Sequence, residues 1–429
     1  MEEYIKADEI TNYNMVCDSS LITDVEEEVD ENINDSSEIS PFNPEDISID
    51  TRVFPMDALI RRIQQGTIIL NPDFQRQEVW TPEKKSQLIE SLMLNIPLPM
   101  FYVASDEDGI LTVVDGLQRM STIRDFVLGK EYLDSLNEES GRRNEDLRGY
   151  GFKLKNLEFW SDYEGYQFNM LPPKLQNRIL ETQFQFTIIN PGTPEEVKRN
   201  IFKRINTGGL PLSSQEIRNA IYAGQATELL NEMSQVESFR NAIGNSVRSI
   251  RMEDKELILR FLSFMVRDFD DYRTQTIDKW LGDTMIILNA MPKLDTREFK
   301  RMLAARKEET PMHINVLSKE NFIEYFDTAM QRCHALFGSH AFRKSYGSQT
   351  RRPINRCLFE MWAYIMGRYT DKEFEQLLMH KDMFMYEYEA LLDDMEFQFL
   401  IQRYSMKAPG LQRRFILLIT LTDKYAKQA

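Results

Sequence analysis

Histidine and cysteine are scarce in this chain of 429 residues, which contains four histidines and three cysteines. Cys17, Cys333 and Cys357 fit no metal-binding spacing and no disulfide framework, which is typical of a reducing, intracellular setting. Long apolar runs are also missing. A membrane helix needs ~20 consecutive apolar residues, and the apolar runs of this chain are much shorter. The first residues lack the basic and apolar segments of a signal peptide. We therefore expect a soluble, cytoplasmic protein that does not enter a membrane.

Positive charge is almost absent from residues 1–50, which contain sixteen acidic residues and one lysine. They carry −15 of the formal charge of −16, so residues 51–429 are close to neutral. This composition predicts a disordered acidic arm. Two interpretations stay open. The arm is a solvated tail, which we favour, or it is a nucleic-acid mimic that covers a basic groove and blocks it.

Two regions with different apolar patterns follow the arm. Residues 51–225 alternate amphipathic helices with extended runs, which predicts an α/β domain. Its runs MFYVAS and LTVV are separated by DEDG, which is typical of a tight hairpin. We expect a short helix over 121–128 and an irregular chain over 131–165. Residues 226–429 contain helical patterns and no convincing strand, so the pattern predicts an all-α domain there.

The LTVV run leads directly into DGLQR at 115–119. A simple turn needs only Asp115 and Gly116, so the adjacent glutamine and arginine require another explanation. Arg119 can bind phosphate oxygens bidentately, and Gln118 can bond a phosphate or a base. Asp115 can hold a divalent cation, for which we expect Mg²⁺, or orient a water molecule.

A helix start after this turn would add to the same site. Its free backbone N–H groups and positive dipole favour an anion, and the hydroxyls of Ser121 and Thr122 lie beside them in sequence. The pattern thus predicts an anion-binding pocket. The structural alternative is a buried pair of Asp115 and Arg119 that caps the helix.

Three further features surround DGLQR in a fixed order: FQRQEVW at 74–80, a helix that leads into IPLP, and IFKRINTGGLPLSSQEIRNA at 201–220. Together these motifs resemble the N-terminal domain of GmrSD-type, modification-dependent restriction systems, within the ParB and sulfiredoxin-like superfamily. The resemblance covers roughly residues 51–225 and implies a ParB-like fold with a helical companion segment. It also implies binding of a nucleoside triphosphate, often with hydrolysis, that licenses action on foreign or modified DNA. The family commonly has glutamine where this chain has Leu117.

The resemblance also assigns residues. In the first motif a second guanidinium would reach the phosphates, and the third motif contains a glycine pair, Gly208–Gly209, whose backbone can approach a ligand closely. For Glu216 we favour a capping box with Ser213, and for Trp80 we favour core packing. The expected nucleotide-binding residues are Gln75, Arg76, Asp115, Gly116, Gln118, Arg119, Ser121, Thr122, Arg204 and Asn206, with Asp115 and Gln118 as the catalytic pair and Asp115 as the metal ligand.

A nuclease site is not apparent. A His-Asn-His nuclease needs clustered metal ligands, whereas His313, His334, His340 and His380 are dispersed. We therefore expect that a separate nuclease subunit cuts the DNA, and that this chain alone does not.

One basic segment is a candidate for DNA binding. The stretch FRKSYGSQTRRPINR at 342–356 contains five cations and no acid, and Tyr346 can stack on a base. The alternative is a solvated loop whose arginines pair with neighbouring acids. The candidate DNA-contacting residues are Arg343, Lys344, Arg351, Arg352 and Arg356.

These features favour a sensor or switch of a DNA-targeting, phage-defence-type restriction system. We expect this sensor to bind a nucleoside triphosphate and to hydrolyse it. The alternative is a non-catalytic DNA-binding or scaffold protein of the same fold that has lost turnover, for which Leu117 is the one hint. A sulfiredoxin-like redox enzyme is disfavoured because the α/β domain contains no cysteine. The sequence leaves open which nucleotide binds, which DNA modification is read and whether the chain forms oligomers.

Overall fold

The structure is a computed structural model. It describes residues 24–26, 47–70, 80–140, 151–193, 197–198, 200–202, 213–244, 246–247, 251–273, 276–305, 312–402 and 407–427, with the side chains of 130–140 and 305 left out. Most of the acidic arm and the glycine pair of the third motif lie outside these residues. So do four of the predicted nucleotide-binding residues, Gln75, Arg76, Arg204 and Asn206.

The first half of the described chain contains a five-stranded mixed sheet, in which the strand order is β1-β5-β3-β4-β2. The hairpin predicted from DEDG is confirmed, because β3 and β4 pair antiparallel. Strand β5 lies parallel to β3 and antiparallel to β1, and β2 lies parallel to β4. The strands are β1 (Ile49–Pro55), β2 (Ile68–Ile69), β3 (Phe101–Ser105), β4 (Leu111–Asp115) and β5 (Gln183–Ile189).

Four helices accompany the sheet: α1 (Met56–Gln64), α2 (Pro82–Met93), α3 (Leu117–Ser140) and α4 (Pro173–Glu181). Thr81 caps α2, and its hydroxyl accepts from the Lys84 N–H at 3.3 Å. The helices enclose one core on one face of the sheet, to which Val113 of β4 contributes. On the opposite face, Val114 packs with Phe202 and Ile217 in a smaller cluster.

The helix predicted over 121–128 is longer than expected at both ends. Helix α3 starts at Leu117, directly after the glycine turn, because this leucine packs on the core below. Gly129 has a φ of 62° and interrupts the helix, but helical structure resumes and continues to Ser140. The expectation of an irregular chain there was wrong for residues 131–140. Glycine adopts a positive φ without steric cost, so the chain changes direction at Gly129 and then continues as a helix.

Helices dominate the chain after β5, which confirms the predicted change from mixed α/β structure to helices. Beyond β5 the described residues form no strand, apart from isolated bridges at Ile354. No helix among the described residues is long and apolar enough to cross a membrane. The helices are α5 (Ser214–Ile221), α6 (Gln225–Ser234), α7 (Glu237–Ile243), α8 (Glu253–Val266), α9 (Ile277–Ala290), α10 (Arg297–Ala305), α11 (Lys319–Phe337), α12 (Arg356–Arg368), α13 (Asp371–Met379), α14 (Lys381–Asp393), α15 (Met395–Gln402) and α16 (Ala408–Ala426).

Buried ion pairs join these helices. The Glu360 carboxylate has no exposed surface and lies between Arg260, at 3.0 Å, and Arg414. Arg260 also contacts Glu256 at 3.2 Å. Burial alone would raise the pKa of Glu256, but the guanidinium groups around it, Arg260 first, hold that pKa below its ordinary value. The charged groups are therefore mutually compensated inside the helical core.

Candidate functional site

The end of β4 and the start of α3 form a tight corner. Gly116, with a φ of 90°, connects Asp115 to the helix. A Cβ at this position would lie 2.4 Å from Cδ1 of Phe101, so any larger residue would displace the ring. The glycine of DGLQR is thus required both by its backbone conformation and by the close packing above β3.

Arg119 is held in place from several sides. Its Nη2 lies 3.1 Å from Oδ2 of Asp115, and its guanidinium carbon lies 4.6 Å from the centroid of the Phe101 ring. It also donates to the backbone carbonyls of Pro99 and, at 3.3 Å, Met100. Burial lowers the pKa of Arg119, and Asp115 partly counteracts this effect. Arg119 therefore ties the first turn of α3 to the start of β3.

The Asp115–Arg119 pair is not sealed from solvent. The side chain of Asp115 is 33% exposed, whereas that of Arg119 is 14% exposed. The pair is the arrangement expected from the structural alternative, and it also leaves a carboxylate edge open to a cation or a water molecule. One carboxylate thus has a guanidinium on one side and solvent on another.

Two buried hydroxyls follow in the same helix. Ser121 and Thr122 are 4% and 1% exposed. Neither hydroxyl has a hydrogen-bond partner within the described part of the chain. Gln118 lies half-buried in the first turn, where backbone N–H groups have no partner within the helix. The predicted residues 115–122 therefore form one continuous corner, but its two hydroxyls lie below the surface.

The third motif meets the same edge of the sheet from the other face. Phe202 and Ile217 pack against Val114, one residue before Asp115. Helix α5 begins with the predicted capping box, in which the Ser213 N–H donates to the Glu216 carboxylate at 2.5 Å. The preferred structural explanation of Glu216 is thus confirmed. The fold places the segments on both sides of residues 203–212 next to the DGLQR corner.

The polar residues of α5 face the helical region. Arg218 is 2% exposed and donates to Asp278 at 2.6 Å and approaches Glu256 at 3.9 Å. The side chains of Gln215 and Asn219 are also buried and bond each other at 2.8 Å. These residues connect the two regions of the chain. Trp80 packs at the margin of the sheet core, as expected.

Within the described residues, no three His, Cys, Asp or Glu side chains are grouped so that they could hold a metal ion. The DGLQR corner itself offers one carboxylate, that of Asp115. A Mg²⁺ ion commonly takes one or two carboxylates and completes its coordination with water and substrate phosphates. The residues present therefore fit a cation that arrives with phosphates better than a protein-only metal site.

The basic segment has acidic partners that come from the N-terminal arm. Arg343 is 1% exposed and lies 2.7 Å from Asp24. Lys344 lies 2.8 Å from Glu26. Arg351 approaches Asp24 at 3.5 Å and remains 41% exposed. This pairing with acids agrees with the alternative interpretation of the segment, although the acids come from a distant part of the sequence.

The two remaining cations differ. Arg356 donates to the backbone carbonyl of Glu26 and lies 3.4 Å from Glu256. Arg352 is exposed, and its side chain makes no ion pair in the described part of the molecule. Tyr346 donates to Asp393 at 2.5 Å, so its hydroxyl end is already engaged. Arg351 and Arg352 are thus the cations that solvent reaches most easily.

The structure thus combines a small mixed sheet, which has a polar strand-end corner, with a helical region. Residues 57–223 match the family model described as the GmrSD restriction endonuclease, N-terminal domain. This match agrees with the resemblance that the motifs predicted for residues 51–225. The match covers less than half of the chain. Among curated proteins, no match to the chain was found.

Sequence reasoning missed the acids that engage the basic segment. Asp24 and Glu26 lie in an arm with many acids, and only the intervening Val25 distinguishes them from a simple charged run. It also missed the buried role of Glu360, which lies within an ordinary amphipathic pattern. Neither contact has a local signal, because the partners are distant along the chain.

Proposed function

We propose that this chain binds a nucleoside triphosphate together with Mg²⁺ at the corner formed by residues 115–122, and that it acts as the sensor of a DNA-targeting, phage-defence-type restriction system. One observation carries the proposal. The strand end, the glycine turn, the first turn of α3 and Arg119 converge at one sheet edge, and the third motif packs against the neighbouring residue, Val114. Convergence of this kind suits an anion with several negative charges.

In this proposal Asp115 and Arg119 change partners. Mg²⁺ would be held at the solvent-exposed edge of the Asp115 carboxylate and would weaken the contact of that carboxylate with Arg119. The released guanidinium then binds phosphate oxygens bidentately. Gln118 orients the phosphate or an attacking water molecule, and the unpaired hydroxyls of Ser121 and Thr122 lie close to the same corner. Gln75, Arg76, Arg204 and Asn206, from the first and third motifs, are proposed to complete the site.

The ParB-like fold belongs to this proposal as well. It rests on the family match and on the mixed sheet. The proposed consequence is a shift between two states of the helical region with different affinity for DNA. Helix α5 is suited to transmit it, because it follows the third motif and its Arg218 lies in ion pairs with Asp278 and Glu256.

The DNA-contacting surface is proposed to include Arg343, Lys344, Arg351, Arg352 and Arg356. Cutting is assigned to a separate nuclease subunit. A second function, that of a non-catalytic DNA-binding or scaffold protein, is supported by the Asp115–Arg119 pair, since such a pair stabilises the corner without any ligand. The two functions differ in nucleotide binding and not in the fold.

Arg119→Lys tests the proposal. Lysine keeps the charge and loses the planar fork, so that affinity for the triphosphate should fall by ~1.5–3 kcal/mol, the range of hydrogen bonds to charged groups. Arg124→Lys is the matched control, since Arg124 contacts Asp125 at 2.8 Å in the same helix and takes no part in the corner. Affinity should be measured calorimetrically. Equal affinities of the two variants and the wild type would place the phosphates elsewhere.

A further inference from the structure

We propose that the edge of residues 343–354 is a docking groove for an extended acidic strand, and that Asp24–Val25–Glu26 of the same chain is its resident occupant. The inference does not depend on nucleotide binding at the DGLQR corner. It rests on backbone pairing, on an apolar anchor and on paired charges, three independent kinds of contact.

The backbone contact resembles the addition of a strand to a sheet edge. Val25 pairs in parallel with Ile354, which itself pairs antiparallel with Arg343. The Ile354 N–H donates to the Asp24 carbonyl at 2.6 Å, and the Glu26 N–H donates to the Ile354 carbonyl at 2.8 Å. Extended peptides that bind in this way gain affinity from such main-chain bonds.

The apolar contact is made by Val25. Its side chain is 4% exposed and belongs to the core cluster of the helical region, which also contains Ile354. In an extended segment alternate side chains point to opposite sides. Val25 therefore enters the core while the acids on either side of it face the other way, towards the cations of the groove.

The charged contacts are specific for both acids. Asp24 lies 2.7 Å from Arg343 and 3.5 Å from Arg351. Glu26 lies 2.8 Å from Lys344 and accepts from the Asn355 side chain at 2.8 Å. Burial lowers the pKa of Arg343, and the nearby Asp24 carboxylate opposes this effect. The acid–valine–acid pattern of residues 24–26 thus matches the groove, which has cations for both acids and an apolar pocket for the valine.

Occupancy of the groove has a direct consequence. While residues 24–26 are docked, their carboxylates form ion pairs with the cations that another anionic strand would need. Because the occupant is covalently part of the chain, docking is intramolecular and a free ligand must compete with a high effective concentration. The groove is therefore closed to other acidic ligands until the segment leaves it.

The arm contains a matched control for this proposal, because Glu28–Val29–Asp30 repeats the pattern acid, valine, acid. In the full-length chain, the combined change Asp24→Asn, Val25→Asp and Glu26→Gln should accelerate hydrogen exchange of the Ile354 amide by ~10-fold or more, since local opening then becomes easy. Glu28→Gln, Val29→Asp and Asp30→Asn should leave it unchanged. If the changes at 24–26 and at 28–30 accelerated exchange of the Ile354 amide equally, the effect would come from the overall charge of the arm and not from a specific contact. This result would overturn the proposal.

A labelled peptide of residues 18–32 provides the second measurement. It should bind the full-length variant altered at 24–26 and should not bind the wild type, whose groove is occupied. The same peptide altered at 24–26 should bind neither protein. Binding of the unaltered peptide to wild type and variant with equal affinity would show that the segment does not occupy the groove.

Exchanging the charges of one ion pair distinguishes the loss of that contact from general unfolding of a variant. Lys344→Glu should accelerate Ile354 exchange, and adding Glu26→Lys should restore protection because the pair is re-formed with opposite signs. Failure of the second change to restore any protection would contradict the assigned contact. If protection of the Ile354 amide decreased on dilution of the wild type, the arm of a second copy would be the occupant. This result would contradict intramolecular docking.

Discussion

Arg119 contacts Asp115 across the glycine turn, with 3.1 Å between Nη2 and Oδ2, and both groups belong to the motif that is expected to bind phosphate and metal. The same guanidinium also holds the carbonyls of Pro99 and Met100. Since Arg119 supports the corner structurally, its loss would disturb more than ligand binding. Asp115 is therefore the cleaner position at which to test the role of the pair.

Asp115→Asn should remove the dependence of nucleotide affinity on Mg²⁺. An amide oxygen is a weaker ligand for Mg²⁺ than a carboxylate, and the change also frees Arg119 for the phosphates. We expect the wild type to bind more tightly with Mg²⁺ than without it, and the variant to bind equally in both conditions. Titrations with and without a chelator measure this. A variant that keeps the full effect of Mg²⁺ would place the cation elsewhere.

The purified chain should not cut DNA. Within the described residues there is no group of His, Cys, Asp or Glu that could hold a metal ion, and metal-dependent hydrolysis needs such a group. Plasmid and modified phage DNA should remain intact after incubation with the protein, Mg²⁺ and each nucleoside triphosphate. Cleavage that a point substitution in this chain abolishes would reveal a nuclease site that we have not recognised.

Glu256→Gln should destabilise the protein at neutral pH. The folded-state pKa of Glu256 lies below its ordinary value, so its ionised form contributes stability that is fully present above that ordinary value. The contribution is lost as the pH falls through the folded-state pKa. Removing one partner of a buried pair costs roughly 3–5 kcal/mol. Urea unfolding from pH 7 to pH 3 should show that the difference in free energy of unfolding between the variant and the wild type narrows as the pH falls below the ordinary pKa of a glutamate.

Glu396→Gln is the control for that measurement. Glu396 contacts Arg413 at 3.5 Å, but its side chain is 65% exposed, and exposed pairs contribute ~0–1 kcal/mol. Its free energy of unfolding should therefore stay close to that of the wild type at each pH. If both variants were equally destabilised, the buried network would not be the source of the effect.

The undocked arm should increase the affinity for DNA. If residues 24–26 cover cations that can bind phosphates, Asp24→Asn with Glu26→Gln should strengthen non-specific binding at low salt, where the Debye length is long. The gain should disappear near ~0.5 M salt. Adding Arg351→Ala and Arg352→Ala should remove most of it. Equal affinities of the wild type and the undocked variant in fluorescence anisotropy would mean that the groove does not serve DNA.

Local patterns predicted much of the α/β region. The hairpin of β3 and β4 and the capping box at Ser213 depend on residues within a few positions of one another, so that their signals are present in the sequence. Strand β1 was missed for the opposite reason. Nearly all of its side chains are exposed, and it is a strand only because β5 pairs with it.

Long-range contacts explain the other differences. Asn355 and Glu26 bond each other although they are 329 positions apart, and no spacing rule connects an acidic arm to a basic loop at that separation. The start of α3 was misplaced because Leu117 was treated as part of a loop, whereas its packing on the sheet core lets the helix begin at once. In both cases tertiary contacts determined the structure, and a local sequence pattern carries no information about such contacts.

Calorimetric titration of the wild-type chain with each of the four ribonucleoside triphosphates, in the presence of Mg²⁺, tests the central claim most directly. We predict saturable binding of at least one of them, together with a rise in the melting temperature, because a ligand that binds only the folded state stabilises it. Absence of both heat and thermal shift with all four would contradict the proposed nucleotide site and favour the non-catalytic scaffold.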